Sequence, residues 1–105
     1  MNDDAKKIAE EIIRQLGGQN KLHAMIGACE FMVCNDPSTL RFRFKGCRKC
    51  NVCTVMYDAG YDQYNVTFYK SSLNGSLYMV RGIDGVFAEN LKQTFEQFTG
   101  MYLSL

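Results

Sequence analysis

The sequence lacks most of the residues and motifs on which catalysis and membrane insertion depend. It has no tryptophan, a single histidine and a single proline, and no G-x-S-x-G, Walker A or H-E-x-x-H motif. His23 is therefore a candidate general base without companions. No run approaches the roughly 18 apolar residues of a membrane span, and the start leads into an amphipathic pattern rather than a signal peptide. We expect a cytoplasmic protein without enzymatic activity, cofactor or membrane contact.

Net charge is small as well. Twelve Lys and Arg oppose eleven Asp and Glu, and the resulting +1 excludes polyanion binding driven by the whole molecule. Apolar residues, in contrast, are plentiful, since 47% of the 105 residues are hydrophobic and 12% are aromatic. That content excludes a disordered chain and suffices for one core, so a single domain over residues 1–105 is expected.

Both ends of the chain show helical spacing. Residues 4–16 place apolar side chains three and four apart, and Gly17-Gly18 can supply the positive φ that ends a helix. Near the C-terminus, Phe87 begins an apolar series that continues through Leu91 to Phe98 and predicts a second core-facing helix. Asp84 is its expected N-cap and Gly100 its expected end.

The middle of the chain changes to a period of two. Short apolar runs alternate with turn residues, and Asn74-Gly75 between two such runs is a strong hairpin signal. The predicted strands are 22–27, 29–34, 39–45, 51–57, 63–72 and 76–81. We therefore predict an α+β fold in which an N-terminal helix, an antiparallel meander of about five or six strands and a C-terminal helix form a two-layer sandwich, with both helices on one face of the sheet.

One predicted strand concentrates positive charge. Leu40-Arg-Phe-Arg-Phe-Lys45 directs three apolar side chains to one face and Arg41, Arg43 and Lys45 to the other. With Arg48 and Lys49 it forms a candidate site for nucleic acid or a protein partner, in a segment 18–54 whose net charge is +4. Tyr57, Tyr64 and Tyr69 are candidates for base stacking. The ordinary alternative is a solvated strand whose cations protect an edge and pair with neighbouring acids.

Five cysteines form the second candidate. Cys47, Cys50 and Cys53 are spaced as two overlapping C-x-x-C units, which is compatible with zinc, and Cys29, Cys34 or His23 could complete a tetrahedral set. The spacing of Cys29 and Cys34 is unusual for such a site, and unliganded thiols are the ordinary alternative. A redox dithiol is disfavoured, because no helix N-terminus follows the motif to lower a thiol pKa.

Several segments together resemble a family of small bacterial proteins from phages and other mobile elements. The resemblance lies in Ala24–Ala28, Leu40–Phe44, Asn51–Val55, Tyr64–Phe68 and, most specifically, Gly85–Gly100 with its Gly-Val-aromatic-Ala entry and Thr-Gly exit. The family is functionally uncharacterised, so the resemblance implies one fold and a mobile-element origin without an activity. Its pattern carries no cysteines at positions 47, 50 and 53, which counts against a zinc function shared with that family.

Two classes of function stay open. One is a non-enzymatic binding or accessory protein that contacts nucleic acid or a protein through the basic strand. The other is a homo-oligomeric structural protein whose exposed sheet face or C-terminal residues 101–105 pack against a second copy. A small zinc-binding domain is a further alternative.

Overall fold

The structure is a computed structural model that describes residues 3–35 and 37–103. Within these residues it has three helices and five strands. The helices are α1 (Asp3–Gln15), α2 (Gln19–Ile26) and α3 (Leu91–Thr99), and a short 3-10 turn at Ala88–Asn90 leads into α3. The strands are β1 (Cys29–Cys34), β2 (Thr39–Arg43), β3 (Val52–Asp58), β4 (Gln63–Ser71) and β5 (Leu77–Val86). No described helix has the length and hydropathy needed to cross a membrane.

The strands form one antiparallel meander in the order β1-β2-β3-β4-β5. Phe42 lies opposite Cys53, which lies opposite Phe68, so these side chains share one face of the sheet. Arg41, Thr54 and Thr67 are aligned in the same way on the other face. The predicted α+β class, with an antiparallel sheet between an N-terminal and a C-terminal helix, is confirmed.

Helices α1 and α3 cover the face that carries Phe42, which we call the core face. Apolar side chains from both helices and from strands β2 to β5 form one buried cluster. Phe95 of α3 lies at its centre, with ring centroids 6.2 Å from Phe42, 5.1 Å from Phe44 and 5.8 Å from Phe68. Such aromatic contacts add to the free energy gained by burying apolar area, so α3 is joined at one residue to β2, to Phe44 just beyond it and to β4.

The predicted strand at 22–27 is wrong, because these residues belong to α2. Leu22 and Ile26 are both buried. A separation of four residues places two side chains on the same face of a helix and also on the same face of a strand, so the spacing does not distinguish the two structures. Gly27 ends the helix in the left-handed conformation and donates its N–H to the carbonyl of His23. His23 therefore lies exposed on a helix and not on the first strand.

The predicted boundary between the last strand and the last helix is also wrong. β5 continues to Val86, so Asp84 lies within a strand and does not cap a helix. Phe87 precedes the 3-10 turn in an extended conformation and is 48% exposed, although its spacing predicted a core position. Gly85, at φ 72°, lies where the register of β5 against β4 shifts, and a bulge of this kind lets a glycine stay inside a strand. Gly100 ends α3 as predicted.

The opposite edge strand, β1, is irregular. Its pairing with β2 shifts between Cys29 and Met32, and Glu30 within that interval has a φ of +54°. A positive φ is costly for a residue other than glycine. The Glu30 carboxylate lies 2.6 Å from the Arg43 guanidinium on β2, and this ion pair helps to hold the bulge in place.

Replacing Phe95 by Ala is expected to lower the free energy of unfolding by about 3–5 kcal/mol, because it leaves a cavity beneath three aromatic rings. Urea unfolding followed by circular dichroism measures the effect. Phe87→Ala is the matched control and should change stability by less than about 1 kcal/mol, since the side chain is half exposed. Equal losses in the two variants would contradict the core described above.

Candidate functional site

The basic strand has the alternation that the sequence predicts. Leu40, Phe42 and Phe44 are buried on the core face, whereas Arg41 and Arg43 lie on the opposite face, which we call the open face. Lys45 follows the end of β2 and its methylene groups lie beside Gly27. The three cations therefore do not form one continuous row.

The two arginines of β2 interact with the sheet itself. Arg43 pairs with Glu30 at 2.6 Å and donates to Ser71 Oγ at 3.3 Å. The Arg41 guanidinium lies 5.9 Å from the ring centroid of Tyr69, within the range of a cation–π contact. Both guanidinium groups thus already have partners on other strands of the sheet. This agrees with the ordinary alternative, in which the cations of a solvated strand pair with nearby side chains.

The other predicted cations lie on the connection between β2 and β3. Lys45, Arg48 and Lys49 are all exposed, and Lys49 Nζ lies 4.3 Å from the ring centroid of Phe98. Asn51 fixes the base of this connection, because its N–H donates to the Tyr69 carbonyl and its side chain exchanges hydrogen bonds with Ser71. Exposed positive charge is therefore concentrated on a loop whose base is well anchored.

The predicted stacking tyrosines do not all accompany this charge. Tyr69 lies on the open face beside Arg41. Tyr57 and Tyr64 pack against each other with centroids 5.3 Å apart, and the Tyr57 hydroxyl donates to Asp62 at 2.7 Å. A shallow concavity of about 450 Å³ beside these two rings is lined by three acids and one lysine, so acidic groups outnumber basic ones there. These residues are Asp4, Glu11, Asp62 and Lys7. Of the three tyrosines, only Tyr69 therefore lies beside the basic residues.

The cysteine motif separates into a pair and a core residue. The Cys50 thiol donates to Cys47 Sγ at 3.5 Å, with Cys47 half buried and Cys50 buried. Cys53 lies within β3 on the core face, and its burial raises its pKa. Among the described residues no three His, Cys, Asp or Glu side chains are grouped to hold a metal ion, so the structure does not assemble the zinc site considered for Cys47, Cys50 and Cys53.

The two thiols of the pair differ in acidity. Burial, reinforced by the neighbouring Cys47 sulfur, raises the pKa of Cys50 to about 12. Burial also raises the pKa of Cys47, but hydrogen bonds from the Lys49 and Cys50 backbone and from the Cys50 thiol, together with the charge of Lys49, outweigh it. The pKa of Cys47 is therefore lowered, so Cys47 loses its proton more readily than Cys50 does.

A further surface lies along β5. No described residue pairs with the outer side of this ten-residue strand. Tyr78 is 59% exposed and Met79 is 70% exposed, and Val80 and the adjoining Phe87 are also exposed. A long apolar edge is uncommon in a protein that stays monomeric, because it is a template for pairing with another strand.

The sequence predictions missed this edge. Two signals could have revealed it. The final strand of a simple meander lies at an edge, and Leu77-Tyr-Met-Val80 is an apolar run that does not alternate. The sequence pattern predicts the meander and a short strand over residues 76–81, but it does not identify residues 77–80 as an exposed apolar edge.

Comparison with known proteins adds no relative. No family model, curated protein or solved structure matches the chain. The resemblance to mobile-element proteins therefore stays a prediction.

The alkylation of Cys47 is expected to reach its half-maximal rate at a lower pH in the folded protein than in the denatured chain. The thiolate is the reactive form, and the folded loop lowers the pKa of Cys47. Brief iodoacetamide pulses across a pH series, followed by peptide mass spectrometry, measure the two profiles. Cys50 and Cys53 serve as internal controls and should be labelled only after denaturation, because both are buried. Identical profiles for Cys47 in the two states would contradict the described loop.

Proposed function

We propose that the protein is a small non-enzymatic accessory protein that works as a homodimer, with two copies joined by antiparallel pairing of their β5 strands. The observation that carries the proposal is the ten-residue edge of β5, which has exposed apolar side chains and no described neighbour on its outer side. Pairing satisfies the outward N–H and C=O groups of both strands and buries apolar side chains of both copies.

The distribution of side chains along β5 supports a second copy as the occupant. In a symmetric antiparallel pair, each residue meets a residue equally far from the two-fold axis. With the axis at Gly82, Arg81 of each copy lies opposite Ile83 of the other copy, on the core face of the sheet. Tyr78 and Met79 then approach Phe87 across the junction. The strand is thus complementary to itself in apolar character.

A second candidate function is contact with a polyanion through the loop cations. The supporting observation is that Lys45, Arg48 and Lys49 are exposed, whereas Arg43 is paired with Glu30. Phosphate contacts of this kind position a nucleic acid without reading its sequence. Such binding does not require the dimer junction, because the loop lies between β2 and β3.

For the dimer, the solution mass is expected near twice 12.0 kDa. Met79→Lys places a charge among the exposed apolar side chains of β5 and should weaken association about tenfold or more, equivalent to about 1.4 kcal/mol. Tyr78→Lys should weaken association in the same way. Sedimentation equilibrium over a concentration series measures all three proteins.

The matched control for the dimer is Leu73→Lys. Leu73 is a fully exposed apolar residue in the turn before β5, so this variant removes exposed apolar surface without changing the edge. It should dimerise like the unaltered protein. A monomer at millimolar concentration, or equal weakening by Leu73→Lys and Met79→Lys, would overturn the proposal.

For the polyanion function, replacing Arg48 and Lys49 by Ala should lower affinity for a single-stranded DNA probe, and affinity of the unaltered protein should fall steeply with salt. Fluorescence anisotropy at several salt concentrations measures both effects. Glu30→Gln is an informative companion, because it releases Arg43 and should strengthen binding at low salt. Absence of binding at low salt would remove this candidate.

A further inference from the structure

We propose that Cys47 and Cys50 form a redox-active dithiol that exchanges with small anionic disulfides, with Cys47 as the attacking thiol and Cys50 as the resolving thiol. The two sulfurs are already in contact at 3.5 Å. A disulfide bond is about 2.05 Å long, so closure requires the sulfurs to approach by about 1.5 Å. Both residues lie on the connection between β2 and β3, where no ladder hydrogen bond has to break for this movement.

The difference in burial assigns the two roles. Cys47 is half buried and can be reached from solvent, whereas Cys50 is fully buried beneath it. An incoming disulfide therefore meets Cys47 first. Cys50 can react only with a sulfur that is already attached to Cys47, which is the position of a resolving thiol.

The loop itself can activate a thiol. No helix N-terminus follows the motif to stabilise a thiolate, so the stabilising groups have to come from the loop. Here the Cys50 thiol donates to Cys47 Sγ at 3.5 Å, and exposed Lys49 lies on the same short loop. Hydrogen bonds from the backbone of Lys49 and Cys50 also lower the pKa of Cys47. A turn can present N–H groups to an anion much as the first turn of a helix does.

The charges around the pair favour an anionic substrate. Lys45, Arg48 and Lys49 are exposed on the same short connection, and no acidic residue occurs between positions 37 and 57. Oxidised glutathione is a small anionic disulfide and is a suitable probe. Cystamine, a small cationic disulfide, should be disfavoured by the same charges.

The chemistry balances as two thiol–disulfide exchanges. The Cys47 thiolate attacks one sulfur of the disulfide, a mixed disulfide forms, and one thiolate leaves and takes up a proton from solvent. The Cys50 thiol loses its proton to solvent as it attacks Cys47 Sγ, which releases the second thiolate. The protein dithiol is oxidised to a Cys47–Cys50 disulfide, and the substrate disulfide is reduced to two thiols.

The test uses the full-length reduced protein in a chelator-containing buffer with oxidised glutathione. Acid quenching and peptide mass spectrometry should show a Cys47–Cys50 disulfide. Cys50→Ser should instead accumulate one glutathione on Cys47, because the resolving thiol is missing, and Cys47→Ser should form neither product. At low ionic strength, the rate with oxidised glutathione divided by the rate with cystamine should be at least several-fold higher for the folded protein than for the denatured chain.

Cys34→Ser is the matched control, because Cys34 is exposed and distant in sequence from the pair. It should leave the rate and product at positions 47 and 50 unchanged. The proposal is overturned if Cys34 reacts while the pair stays reduced, or if Cys50→Ser carries no glutathione on Cys47. Stoichiometric zinc on the protein as purified, lost in the Cys47→Ser variant, would overturn it too by assigning the pair to a metal.

Discussion

The packing of Phe95 against three phenylalanines is the contact on which the arrangement of the other elements depends. Phe42, Phe44 and Phe68 all face it, and Phe98 of the same helix stacks on Phe68 at 4.4 Å. A shift of β2 by one residue would turn Phe42 and Phe44 away from α3 and direct Arg41 and Arg43 into the core. Because burying an unpaired guanidinium is far more costly than losing a contact, the register of the sheet is strongly fixed.

Much of this arrangement was predictable because several patterns agree. From Leu40 to Lys45, in β2 and the two residues after it, apolar and basic side chains alternate without exception, so only one choice of faces is possible. Glycines bound α1 and α3 at the positions where a left-handed residue is needed. The α2 segment was not predictable in this way, because Leu22 and Ile26 are compatible with either period and only the packing of the folded chain decides between them. The extent of β5 was hidden by Gly82 and Gly85, whose usual role as strand breakers is overridden by pairing with β4.

The candidate sites were predictable to different degrees. Local sequence identified Arg48, Lys49 and the Cys47–Cys50 spacing, since these features lie within one short loop. Their surroundings depend on distant residues. Asn51 anchors the loop to β4, Phe98 meets Lys49 from α3, and Glu30 reaches Arg43 from β1. Contacts between residues far apart in sequence decide which cations and thiols are available, and a single sequence does not reveal them.

The irregularity at Glu30 bears on how far assembly can proceed. A sheet with two open edges can add molecules head to tail, β5 of one against β1 of the next, and such a contact never closes. In β1 the regular ladder with β2 covers only Met32–Cys34, because the bulge at Glu30 bends the strand before that point. A template of three residues is a poor match for the ten of β5. The irregular backbone at Glu30 therefore shortens the stretch over which β1 could pair with a further strand, whereas β5 is regular enough to offer a much longer one.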